Sequence, residues 1–138
     1  MAITAALCNS YKQEILQGVH EAGDTYKIAL FTSSATLSKA TTAYSTSNEV
    51  TGTGYTAGGA TLASFAVTLD TDTAILDFAD ATWPTSTITA RGALIYNSTQ
   101  SNKAVAVLDF GSDITSTAAT FTVAFPTASA AAGLIRIA

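Results

Sequence analysis

Large apolar side chains recur at every second position in run after run of this chain: Tyr26, Ile28 and Leu30; Phe65, Val67 and Leu69; Ala74, Leu76 and Phe78; Ala119, Phe121, Val123 and Phe125. A period of two is that of a β-strand, whose successive side chains point to opposite faces. Turn-forming residues separate the runs. Asp70-Thr71-Asp72-Thr73 joins the second and third runs into a hairpin, and Ser98-Thr99-Gln100-Ser101-Asn102 joins residues 88–97 to residues 103–110 in another. Trp83-Pro84 predicts a further turn, because proline cannot donate a ladder hydrogen bond. Leu134-Ile135-Arg136-Ile137-Ala138 is expected to pair as a last strand. The chain is therefore expected to be mainly β, an antiparallel β-sandwich or barrel.

One segment departs from this rhythm. Tyr11, Ile15, Leu16 and Val19 recur at helical spacing after Ser10-Tyr11-Lys12-Gln13, which reads as a capping box with Gly23 as the stop. The organisation expected is an N-terminal arm over residues 1–8, one α-helix over 9–22 and β structure over 25–138. At 138 residues the chain suits one core rather than two, hence a single domain. Residues 32–47 form a long Ser/Thr/Ala stretch with Leu37 and Tyr44 as its large apolar anchors, and a loop of that length predicts an interaction arm or a solvated loop. Residues 127–133 are rich in alanine and read as a low-complexity linker.

Charge narrows the functional classes. Only 12% of residues are charged, about half the usual share. A surface of Ser, Thr, Asn and Gly suits β-strands, and its burial against other subunits desolvates few charges. The net charge of -4 lacks the basic face that phosphate binding needs, so no nucleic-acid partner is expected. No apolar run approaches the roughly 18 residues of a membrane helix. Residues 1–7 lack the basic region and length of a signal peptide, so none is expected there. Cys8 is the single cysteine, which excludes an intrachain disulfide.

The sequence offers few candidates for chemistry. Gly52-Thr53-Gly54-Tyr55-Thr56-Ala57-Gly58-Gly59 has the glycine content of a phosphate loop, but no lysine or helix follows, and the stretch reads as a turn with close backbone packing. His20 is the only histidine and falls at the C-terminal end of the expected helix, where a hydrogen-bonded or solvated ring is expected. Asp70, Asp72, Asp77, Asp80, Asp109 and Asp113 lie at or near turns without the ligand order of a calcium loop. Asn97-Ser98-Thr99 matches a glycosylation sequon of little specificity. No catalytic residue, metal or cofactor is expected, and the chain does not read as an enzyme. Phe65, Phe78, Phe121 and Phe125 fall on apolar phases and are assigned to the core. Tyr55, Trp83 and Tyr96 sit at turns or strand ends, where an amphipathic ring can anchor a subunit contact or seal the end of a sandwich.

The run Asn48-Glu49-Val50-Thr51-Gly52-Thr53-Gly54-Tyr55-Thr56-Ala57-Gly58-Gly59-Ala60-Thr61-Leu62, the Trp83 turn and Thr89-Ala90-Arg91-Gly92-Ala93-Leu94-Ile95-Tyr96-Asn97 resemble small virion structural proteins of tailed bacteriophages. The helix and the Tyr26-Lys27-Ile28-Ala29-Leu30-Phe31 strand ahead of them extend the similarity over most of the chain. This resemblance implies a virion protein, made in the host cytoplasm, that decorates and cements a capsid, with the major capsid protein as partner and a homotrimer as its state. Contact candidates are then Ala2, Ile3 and Leu7 in the arm, Leu37 and Tyr44 in the long loop, and Tyr55, Trp83 and Tyr96. Deleting residues 2–7 is expected to spare the fold and weaken particle binding. A tail, neck or fibre component and a small carbohydrate-binding β module are the alternatives.

Overall fold

The computed structural model describes residues 2–129 and 131–137. Met1, Ala130 and Ala138, assigned from sequence to the arm, the linker and the last strand, lie outside the described residues. Antiparallel strands dominate and one short helix accompanies them, as the period-two pattern implies. In chain order the elements are β1 (Ala6–Leu7), α1 (Asn9–Leu16), β2 (Tyr26–Phe31), β3 (Ala60–Thr61), β4 (Ala66–Asp70), β5 (Thr73–Asp77), β6 (Ala81–Asn97), β7 (Lys103–Val123) and β8 (Ile135–Ile137). They form a five-stranded sheet, β1-β7-β6-β2-β3, and a three-stranded sheet, β4-β5-β8.

The larger sheet holds most of the core. Ile28, Leu30 and Phe31 on β2, Leu94 and Ile95 on β6, and Val105 and Val107 on β7 are all essentially inaccessible. Residues 32–50 help cover β2, so both of its faces are buried and its apolar sequence is nearly continuous. The smaller sheet joins this core through aromatic rings: Tyr26 lies 5.5 Å from both Phe65 and Phe78 between ring centroids.

Both sequence-predicted hairpins are present. Thr71 and Asp72 connect β4 to β5, and residues 98–102 connect β6 to β7. Trp83-Pro84, however, does not end a strand. Pro84 lies inside the 17-residue β6, at a shift in register where Pro84 and Thr85 face only Thr120. A bulge is where a strand tolerates a residue without an N–H, so the proline bends β6 instead of stopping it. A larger irregularity sets Phe110, Gly111, Ser112 and Asp113 against Arg91 alone, and Gly111 meets it with a φ of 80°. The expected break before Ala119 is likewise absent, and β7 runs on to Val123.

The helix is shorter than its apolar spacing predicts. Cys8 occupies the N-cap with extended backbone and no side-chain cap, two residues before the capping box read at Ser10. The Ser10 hydroxyl is buried without a hydrogen-bond partner among the described residues. Gly18, not Gly23, provides the stop: with φ at 73° it places its N–H on Ile15 O and that of Val19 on Glu14 O. This is a Schellman closure, which satisfies the last carbonyls at the cost of a left-handed residue that glycine adopts freely.

The N-terminal arm and the long loop are each pinned. Ile3 pairs with Leu37 as an isolated parallel bridge, with Thr4 N–H on Leu37 O and Leu37 N–H on Ala2 O. Both side chains are buried. Residues 6 and 7 add β1 to the edge of β7. The loop is further tied by Tyr44 N–H to Asn102 O and by Ala104 N–H to Thr42 O. Neither segment is a free arm, and residues 2–7 contribute Ile3 to the core.

Candidate functional site: two internal clusters and an exposed apolar face

Glu49 organises the glycine-rich segment. Its carboxylate is buried, and Oε1 accepts the Tyr44 hydroxyl at 2.7 Å while Oε2 accepts the Tyr55 hydroxyl at 2.6 Å and the Gly58 N–H at 2.8 Å. The Tyr55 oxygen in turn accepts Leu30 N–H at 2.9 Å, and Tyr96 donates to Gly58 O at 2.6 Å. Tyr44 stacks on Tyr96 with centroids 4.5 Å apart, and Tyr55 leans on Trp83 at 6.1 Å. Three donors replace the water that a buried carboxylate would lose. Burial, reinforced by Glu49, pushes the Tyr44 and Tyr55 phenols well above their ordinary value, and burial raises Tyr96 as well.

Close packing completes this clamp, as expected of the glycine-rich turn. Gly59 has a φ of 80°, and a Cβ there would overlap the Ile28 carbonyl. Thr53 bridges to Thr87 on β6, so the segment spans from β2 to the bulged part of the long hairpin. Local sequence pattern gives Glu49 no distinct role beyond the glycine-rich run. The signal was there: it is the only acid between Asp24 and Asp70.

A second cluster surrounds His20, whose side chain is only 1% exposed. Asn97 fixes the arrangement: its Oδ1 accepts the N–H groups of Thr99 and Gln100, so its Nδ2 faces His20 Nδ1 at 3.0 Å and Asp24 Oδ2 at 2.8 Å. With Nδ1 accepting, the ring proton sits on Nε2 and is donated to Glu14 Oε1 at 2.9 Å. The Asn97 hydrogen bond, opposed by partial desolvation, holds the Asp24 carboxyl below its ordinary value. Both ring nitrogens are thus occupied: Nδ1 ties the segment after α1 to Asn97 at the end of β6, and Nε2 ties it back to Glu14 on α1. Cys8 is buried, and burial, with Glu14 adding to it, pushes its thiol up to about 11, the opposite of what a reactive cysteine needs. Among the described residues, no group of three His, Cys, Asp or Glu side chains could hold a metal ion. No described helix is long and apolar enough to cross a membrane.

The contact candidates fall mostly inside. Ile3, Leu37, Trp83 and Tyr96 are buried in the chain's own core, Leu7, Tyr44 and Tyr55 are half-buried, and Ala2 is exposed. Four of them, Tyr44, Tyr55, Trp83 and Tyr96, meet around Glu49. Ile3, Leu37, Trp83 and Tyr96 thus pack within the chain's own core.

Different residues reach solvent. Leu16 is 90% exposed, Leu69 74%, Val67 60%, Ile137 52% and Ile114 44%. Registers in the smaller sheet align Val67 with Leu76 and Ile135, and Leu69 with Ala74 and Ile137, so one face carries six apolar side chains. Tyr11 and Ile15 of α1 close one side of this face, leaving an apolar cleft of about 140 Å³. In β5 the buried phase is Thr73 and Ile75, whereas the sequence assigned Ala74 and Leu76 to it. A second apolar cleft, about 320 Å³, lies along β7 between Phe110, Ile114 and Phe121.

Comparison with known proteins returns nothing similar: no family model, no curated protein and no solved structure matches this chain.

Proposed function

We propose that this chain is a structural protein of a tailed-bacteriophage virion, acting as a capsid decoration protein that binds and stabilises the assembled shell. One observation carries the reading. A weakly charged surface exposes large apolar side chains on the β4-β5-β8 face, along β7 at Ile114 and at Leu16 of α1. Patches of this kind mark association surfaces. The polar groups best suited to chemistry, Glu49 and His20, are meanwhile engaged in hydrogen bonds that tie loops to the frame. The phage assignment itself rests on the resemblance in the glycine-rich and Thr89 to Asn97 segments. The major capsid protein is the partner that this function requires.

Mass spectrometry of purified particles, followed by cryo-electron microscopy, tests the proposal. The chain should be found at high copy number, with density distributed over the capsid lattice. Density restricted to the tail or neck would replace decoration by a tail role, and absence from particles would overturn the virion assignment.

A further inference from the structure

We infer that β4 is a self-pairing edge, through which two copies of this chain join their three-stranded sheets about a twofold axis at Thr68. This inference concerns the isolated protein and stands apart from the virion assignment.

Strand order makes β4 an outer strand of its sheet, and all five of its residues are exposed. Natural edges are blunted by lysine, proline, bulges or shortness. Ala66-Val67-Thr68-Leu69-Asp70 has neither lysine nor proline, and its pairing with β5 runs without a register shift. Other described edges are blunted. β1 and β3 have two residues each, β8 has three and includes Arg136, β6 before Gly92 carries Pro84 and Arg91, shifts register and is bridged at Thr87 by Thr53, and β7 beyond β1 is interrupted at Gly111 and Ala118, both at positive φ.

Backbone parity supplies the register. Asp70 and Thr73 close a two-residue turn and form a hydrogen-bonded pair, so alternation directs the N–H and C=O of Asp70, Thr68 and Ala66 toward β5. Those of Val67 and Leu69 then point outward, into the open edge. Antiparallel pairing centred on Thr68 brings Val67 opposite Leu69 of the second copy, and both exchange their two free backbone groups there. The same register continues the apolar face across the join. Asp70, the only charge on β4, meets Ala66 of the second copy rather than another Asp70, so no like charges face each other directly. An isologous contact of this kind closes on itself, giving a dimer in place of the trimer implied by the phage resemblance.

Light scattering coupled to size exclusion, over a wide range of concentration, tests the inference. Wild-type protein should shift toward twice the chain mass as concentration rises. Leu69→Lys, at an exposed position, should keep the wild-type melting curve and remain at monomer mass throughout. Thr68→Cys gives a geometric readout, because the paired Cα atoms of a non-hydrogen-bonded site lie about 4.5 Å apart, within disulfide reach. Mild oxidation with oxidised glutathione should crosslink Thr68→Cys to itself. Ala66→Cys and Asp70→Cys should each fail alone and crosslink when mixed. A wild-type protein that stays monomeric overturns the inference, and so does an oligomer in which Thr68→Cys does not crosslink.

Discussion

Tyr55 donates its phenolic hydrogen to Glu49 Oε2 across 2.6 Å while its oxygen accepts the Leu30 N–H, so one hydroxyl links the glycine-rich segment to a buried acid and to the central strand β2. Removing the carboxylate leaves two phenols and the Gly58 N–H without their acceptor. Glu49→Ala is expected to lower stability by about 3 kcal/mol, since each buried group left unsatisfied costs roughly 1–3 kcal/mol and water recovers part of the loss. Glu49→Gln, which retains one acceptor, is expected to cost about 1 kcal/mol. Urea denaturation checks both, and equal stability of all three proteins would discard the clamp.

Those phenols also set an alkaline limit. Tyr26, Tyr44, Tyr55 and Tyr96 have folded-state values raised primarily by burial, so the folded chain holds their protons more tightly than the unfolded chain does. Stability from these groups is complete below the unfolded value of about 10 and falls as pH rises above it toward the folded values. Tyrosinate absorbance and far-ultraviolet circular dichroism, followed together upward from pH about 9, should change in one transition for these rings. Free titration of all five tyrosines with the fold intact would contradict the burial argument.

Ile3 belongs to the core. Its side chain lies against Gly92, where an added Cβ would meet Ile3 Cγ2 at 2.8 Å, and its segment exchanges two backbone hydrogen bonds across Leu37. Ile3→Ala is expected to cost about 2–4 kcal/mol, and deletion of residues 2–7 more. A deletion variant that melts like the full chain would show the segment to be dispensable.

Ser10 offers a test of opposite sign. Its hydroxyl is buried without a partner among the described residues, in the first turn of a helix where alanine is the better former. Ser10→Ala should raise stability by about 1 kcal/mol, visible as a higher melting temperature. A lower melting temperature would mean that the hydroxyl is satisfied in solution.

Much of this architecture is legible from spacing alone. The β4–β5 and β6–β7 turns fall where Asp70 to Thr73 and residues 98–102 predict them, because turn chemistry is local. Alternation, however, identifies side chains that share a face without saying what covers that face. Val67 and Leu69 therefore look like core in sequence and lie in solvent in the fold. Pro84 misleads for a related reason: a bulge accommodates it only because β7 supplies a matching partner about 35 residues away along the chain, a relation no local pattern encodes. The two polar clusters were hidden for the same cause. His20 reaches Asn97 across 77 positions, and Glu49 gathers three tyrosines that appeared as separate surface rings.

The long β6–β7 hairpin has a consequence for the order of events when the chain folds. Its two strands are the longest in the molecule, yet only five residues separate Asn97 from Lys103, so their pairing starts with a small loop entropy and proceeds by zipping outward. β2 and β1 must close larger loops to reach the same hairpin, and β8 must return to β5 from beyond its far end. The hairpin is thus the template on which the remainder condenses, and substitutions near its turn should slow folding more than they speed unfolding.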